Sequence, residues 1–245
     1  MTIVQMLAIG LAFVIAGVAK GALGMGLPPV AIGLMTFAIP LEDALALIVL
    51  PTIFTNIWQA IYGPGFALLM RRFWPLTAAA VSALLFVAVS FGHLGSPRAA
   101  AWVGITLVVY AALALTAWRP KVPRGAERWA NPLIGLSSGA VAGVTGVAAV
   151  PFLPYMQSLD IDRHDLVQAL GIQFLFITSA LTLALAWQGA FTLGNSIGGL
   201  AAIAPTMVGV WIGQKVRHTL SPEMFRRIFL LGMLAIGLHM ARGLL

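Results

Sequence analysis

One pattern runs the length of the chain: long apolar stretches, separated by short loops that collect its basic residues. The stretches are Ile3–Ala19, Pro28–Ile39, Ala44–Tyr62, Phe73–Phe91, Ala99–Trp118, Leu133–Val147, Pro151–Leu159, Leu166–Trp187, Leu193–Gly213 and Phe225–Met240. A helix crossing the hydrocarbon of a bilayer needs about 20 apolar residues at about 1.5 Å rise each. Most of these stretches approach that length. The chain is 60% hydrophobic and 9% charged, with mean hydropathy +0.99, against about 25% charged residues in a soluble domain. A soluble fold of this size cannot hide so much apolar surface, so the fold class is an all-α polytopic membrane protein whose first partner is the lipid bilayer. The first stretch has no basic leader and no small-residue cleavage site, and is expected to stay as a membrane segment. The net charge of +7 lies in loops between apolar segments, which is the signature of membrane topology rather than of a nucleic-acid face. There is no cysteine, hence no disulfide or thiolate chemistry.

Two stretches, Pro28–Ile39 and Pro151–Leu159, are too short to cross alone, and each follows a glycine-rich break. A shift of 122 residues aligns Gly17 with Gly139, Gly21 with Gly143, Gly24 with Gly146, Pro29 with Pro151 and Asp43 with Asp165. Further on the shift becomes 125, where Ser96-Pro97 meets Ser221-Pro222. The order of these matches predicts two homologous halves, residues 1–118 and 133–245, joined by a basic cytoplasmic linker at 119–132.

Basic residues favour the cytoplasmic side of a membrane. If both halves ran parallel, the Lys and Arg residues other than Lys20 would divide seven against six. If the second half is inverted, eleven face the cytoplasm and only Arg98 and Arg242 fall outside. The expectation is therefore two inverted-topology repeats with both termini outside, each a glycine-broken helical hairpin followed by three transmembrane helices. The hairpin arms either cross fully, for ten crossings, or stop midway, for six crossings plus two re-entrant hairpins. Such repeats are common in secondary transporters, with the site near the midplane where discontinuous helices meet.

All seven acidic residues fall in loops or at segment ends, which disfavours a cation pump. Lys20 is the opposite case, a cation beside a helix break. Glycines at 21, 24 and 26 let the backbone approach a ligand, and the N–H groups opening a half-helix favour an anion. The second half repeats the glycines, with Thr145 before Gly146 and Ala142 in place of lysine. The following helices carry polar residues in apolar surroundings: Thr52, Thr55, Asn56 and Gln59, then Gln168, Gln173, Thr178 and Ser179. The candidate substrate site is thus Lys20, Gly21, Gly24, Met25, Gly26, Asn56, Gln59, Thr145, Gly146, Gln173 and Thr178. Plainer readings stand beside it. Small residues at four-residue spacing let helices pack closely; a lysine can snorkel to an interface; buried amides can tie helices together. Asp43 and Asp165 read as helix N-caps. The histidines, His93, His164, His218 and His239, show no metal-site spacing. No serine has a His/Asp pattern for hydrolysis, and the glycine string lacks the spacing of a nucleotide loop. No catalytic residue, metal or cofactor is expected.

The paired motifs, Gly17-Val18-Ala19-Lys20-Gly21-Ala22-Leu23-Gly24-Met25-Gly26 with Pro28-Pro29 and Gly139-Ala140-Val141-Ala142-Gly143-Val144-Thr145-Gly146 with Pro151, resemble those of the TauE/SafE family of sulfite exporters and related anion permeases. The stretch Asp165-Leu166-Val167-Gln168-Ala169-Leu170-Gly171 is similar to the family as well. The resemblance implies export or uptake of a small sulfur-containing anion, such as sulfite or an organosulfonate, by a homodimeric membrane protein; the bacterial inner membrane is the expected location, and a proton or sodium ion is the candidate coupling ion. The alternatives are a carrier of another neutral or charged solute, or a non-transporting assembly subunit.

Overall fold

The computed structural model describes residues 2–91, 94, 96–116, 121–219 and 222–242. His93, the repeat match at Ser221 and the boundary at 118/119 lie outside them. Eleven α-helices are described: α1 Ile3–Leu23, α2 Leu27–Met35, α3 Leu41–Ile61, α4 Phe66–Phe91, α5 Pro97–Leu115, α6 Glu127–Thr145, α7 Phe152–Ser158, α8 Arg163–Trp187, α9 Leu193–Ala201, α10 Ile203–Thr219 and α11 Pro222–Ala241. Among the described residues six helical segments are long and apolar enough to cross a membrane: Ile3–Leu23, Leu41–Ile61, Phe66–Phe91, Arg98–Leu115, Arg163–Trp187 and Leu193–Val216. The last joins α9 to α10. Pro205 has no N–H to give to Ala201, so the ladder slips at Ala202 without the segment ending.

The glycine breaks are built alike. α1 ends on Gly24 and α6 on Gly146, both left-handed, with φ of 78° and 73°. Each cap donates its N–H at 2.7 Å, to the Lys20 and Ala142 carbonyls respectively. A side chain strains that conformation, which is why glycine stands there. α2 has 9 residues and α7 has 7, too short to cross at about 1.5 Å per residue. Between the two hairpin geometries left open above, the first hairpin has one full-length arm, α1, and one short return.

Other expectations are corrected. Asp43 and Asp165 are not N-caps but lie in the first turns of α3 and α8. Pro40 begins α3, and Asp43 accepts from Asn195 Nδ2 at 3.0 Å. Asp162 caps α8, accepting from the His164 and Asp165 N–H groups at 2.7 and 2.9 Å. The Asp165 N–H does most to hold the Asp162 carboxyl below its ordinary pKa.

The main packing crosses between the halves: α1 on α10, α4 on α6, α3 on α8 and α5 on α11. Small residues decide the first two. A Cβ on Gly17 or Gly21 would meet the Thr206 or Val210 carbonyl oxygen at 2.4 or 2.2 Å. One on Gly209 or Gly213 would meet Val14 or Val18 at 2.2 Å. Gly135, Gly139 and Gly143 stand likewise against Leu76, Ala80 and Leu84 of α4. Backbone-to-backbone approach of this kind replaces the hydrophobic drive that lipid removes. Along α3–α8, Gln168 reaches Ala60 and Gly63 while Gly171 meets Gln59 and Ala60, so the two helices run antiparallel. Gly104 of α5 meets Gly237 and Ala241 of α11, while Gly237 meets Gly104, Leu107 and Val108, which makes that pair antiparallel too. At one end, Arg72 of α4 forms a two-pronged ion pair with Glu127 of α6, at 2.8 and 2.7 Å. Asn131 joins it, donating to the Arg72 carbonyl and accepting from the Tyr155 hydroxyl of α7.

Candidate functional site

A narrow cavity of ≈ 40 Å³ opens where the two breaks face each other across α3 and α8. Gly26, Pro28 and Pro29 form its wall on one side, and Gly146, Val147, Ala148 and Ala149 on the other. Thr52 from α3 and Thr178 from α8 give it side-chain hydroxyls. In this arrangement it has room for a few water-sized groups.

Behind Thr52, one helical turn along the same face of α3, lies Asn56, which is fully buried. Its Oδ1 accepts from the Lys20 ammonium. Lys20 is itself buried, at 7% exposure, and among the described residues no carboxylate lies within salt-bridge reach of it. Because Oδ1 faces a donor that has no acceptor capacity, the amide orientation follows, and Nδ2 points away. Among the described residues neither Asn56 Nδ2 nor Thr52 Oγ has a hydrogen-bond partner. The strip Thr52–Asn56–Lys20 is therefore rich in donors and poor in acceptors.

The half-helix N-termini supply fewer donors than their glycines suggest. Pro28 and Pro29 have no N–H, and Val30 N–H already bonds the Gly26 carbonyl at 3.2 Å. Across the cavity, Val147 N–H is taken by Thr145 Oγ at 3.1 Å. No backbone acceptor is formed for the N–H groups of Gly26, Ala148 and Ala149 among the described residues. Backbone donation rests on those loop positions, not on the helix starts.

Of the residues singled out from sequence, Gly26, Gly146 and Thr178 border the cavity, and Lys20 with Asn56 adjoin it through Thr52. The others have different surroundings. Gly21 faces α10. Gly24 has its carbonyl held by Gln59 Nε2 at 2.9 Å, and the same amide bonds the Val167 carbonyl at 2.6 Å. The Thr145 hydroxyl serves its own backbone, at Val141 and Val147. Gln173 accepts from Thr77 of α4 at 2.7 Å, and its Nε2 is buried without a partner among the described residues. Met25 Sδ accepts from Tyr110 and from Gln157. Thr52, Ala148 and Ala149 also line the cavity and are not among the candidate site residues of the sequence. Thr52 was visible as a hydroxyl one turn before Asn56; the two alanines carried no signal.

A bundle with six apolar segments of spanning length and two glycine breaks beside a cavity defines an integral multi-pass membrane protein of transporter type. The chain belongs to the sulfite exporter TauE/SafE family, whose model matches residues 9–240. Comparison with curated proteins and with solved structures gives no match. Membership makes the protein one of a family of transporters, and the six apolar segments fit that role.

Proposed function

We propose that this protein carries a small sulfur-containing oxyanion, such as sulfite or an organosulfonate, out of the cell by alternating access, with the cavity between the two breaks as its central site. The observation that carries the reading is the buried Lys20 ammonium, held by a neutral amide, beside polar donors that have no acceptor among the described residues. An uncompensated charge is costly in a low-dielectric interior. An oxyanion entering beside Thr52 offsets that cost and accepts from Asn56 Nδ2, Thr52 Oγ and the Gly26, Ala148 and Ala149 N–H groups. A cation would meet the same donors and the same positive charge, and a neutral solute would leave the charge unbalanced.

The halves 1–118 and 133–245 act in this reading as inverted repeats about the cavity. The antiparallel course of α3 against α8 and of α5 against α11 supports it, as does the reciprocal packing of α1 on α10 and α6 on α4. The preferred orientation has the linker in the cytoplasm and both termini outside, in the bacterial inner membrane. The family resemblance adds a homodimer, and a proton or sodium ion is the candidate coupling ion. Purified protein screened by calorimetry against sulfite, thiosulfate, sulfoacetate, taurine and phosphate is expected to bind at least one of the sulfur oxyanions more tightly than phosphate. Binding of none of them would sink the proposal.

A further inference from the structure

A second, larger chamber lies at the linker end. The segment 121–124 runs beside 157–160, tied by Val122 N–H to the Ser158 carbonyl at 3.1 Å and by Arg124 to Asp160 at 3.5 Å. Between them is a groove of ≈ 560 Å³ lined by Lys121, Arg124, Gln157 and Ser158, among others. Two cations against one carboxylate make its mouth net positive, which concentrates anions. Its inner wall is Gln157, whose Nε2 touches Met25 Sδ at 3.6 Å. Met25 is the residue before Gly26, which borders the central cavity. Tyr110 of α5 donates to the same sulfur at 3.8 Å. Met25 thus touches the wall of the wide groove through its sulfur and is joined to the wall of the narrow cavity through its chain neighbour Gly26.

The chemistry suits a plug that moves. A thioether is a weak acceptor, and methionine turns about three soft bonds. Met25 is partly buried and sits between two left-handed glycines. At the equivalent position of the other break stands Val147, a stiff branched side chain that is buried at 2% exposure. The asymmetry places the movable element on the linker side.

We infer that the groove is the vestibule through which the anion reaches the site from the linker side, and that Met25, latched by Gln157 and Tyr110, is the gate between them. This rests on the transport reading above, but its test does not need transport. The chain has no cysteine, so Ala148→Cys gives a single reporter on the cavity wall. Membrane vesicles of both orientations are treated with a membrane-impermeant, sulfonate-bearing thiosulfonate reagent. The orientation in which Lys121→Cys reacts at once marks the linker side. From that side, Met25→Ala is expected to speed reporter labelling at least tenfold, and Met25→Phe to slow it severalfold. Opposite signs for the two variants separate a gate from general loosening, which would speed both. Equal rates in all three, or acceleration by both variants, overturns the gate. Labelling that follows Met25 in a protein with no anion flux keeps the gate and removes the transport reading. Flux with labelling indifferent to Met25 does the reverse.

Discussion

Lys20→Met is expected to abolish oxyanion binding while leaving the protein at least as stable as the original. The two effects have separate causes. The ammonium is buried against Asn56 with no carboxylate in reach among the described residues. Relief of the several-kcal/mol cost of burying a lone charge outweighs the about 1–3 kcal/mol of leaving Asn56 Oδ1 without its donor, so no net loss of stability is expected. The same change removes the positive charge that hydrogen-bonds Asn56 in the donor strip. A loss of at least about 100-fold in affinity, or about 2.7 kcal/mol, is the expected outcome by calorimetry. Asn56→Leu separates the partners from the other direction. It leaves the ammonium in place without its acceptor, and a stranded buried charge costs about 3–5 kcal/mol. That variant should unfold more easily in detergent. A Lys20→Met protein that loses stability and keeps its anion affinity would assign Lys20 to packing.

Gly139→Leu is expected to be the most damaging single change outside the site. A Cβ there would lie 2.1 Å from the Ala80 carbonyl oxygen and 2.8 Å from two other Ala80 backbone atoms. These are backbone atoms of α4, and they cannot turn aside as a side chain can. The helices must separate, which also strains the Arg72–Glu127 pair at the end of the same interface. Overpacking a well-fitted contact costs about 1–3 kcal/mol and occasionally more, and here the new Cβ is added against backbone. A fall of about 10 °C in the unfolding midpoint is expected, taking about 2–4 °C per kcal/mol for a chain of this length. Gly10→Leu is the matched control, since nothing lies within 4 Å of a Cβ at Gly10, and it should leave the midpoint unchanged. Equal behaviour of the two variants would mean that α6 and α4 do not meet through Gly139.

Much of this architecture is legible in the amino-acid order because a bilayer leaves few options. A backbone in hydrocarbon must satisfy itself, so an apolar stretch of spanning length is a helix, and a Gly-rich interruption before proline is a break. The two breaks could be placed from Gly24, Gly146, Pro29 and Pro151 alone. What the chain order does not show is which helix lies behind which. Gly17, Gly21, Gly139 and Gly143 read equally as ligand approach or helix packing, and only their facing carbonyls on α10 and α4 decide for packing. The start of the first half-helix offers fewer donors than its glycines suggest, because Pro28 and Pro29 lack the N–H groups through which a helix N-terminus holds an anion. Gln59 was a reasonable substrate donor until its amide was found occupied by two carbonyls. Lys20 remains the residue where the sequence and the fold agree most closely on something unusual: a charge beside a helix break that is also buried beside unmatched donors.

Sulfite movement through purified protein is the most direct test of an anion site at Lys20. In proteoliposomes loaded with unlabelled sulfite, the protein should drive saturable accumulation of external radiolabelled sulfite by counterflow. Lys20→Met, reconstituted to the same density, should reduce that signal to the level of empty liposomes. Counterflow that is undiminished in Lys20→Met, or absent from the unmodified protein for sulfite and for the organosulfonates alike, would contradict an anion site built around this lysine.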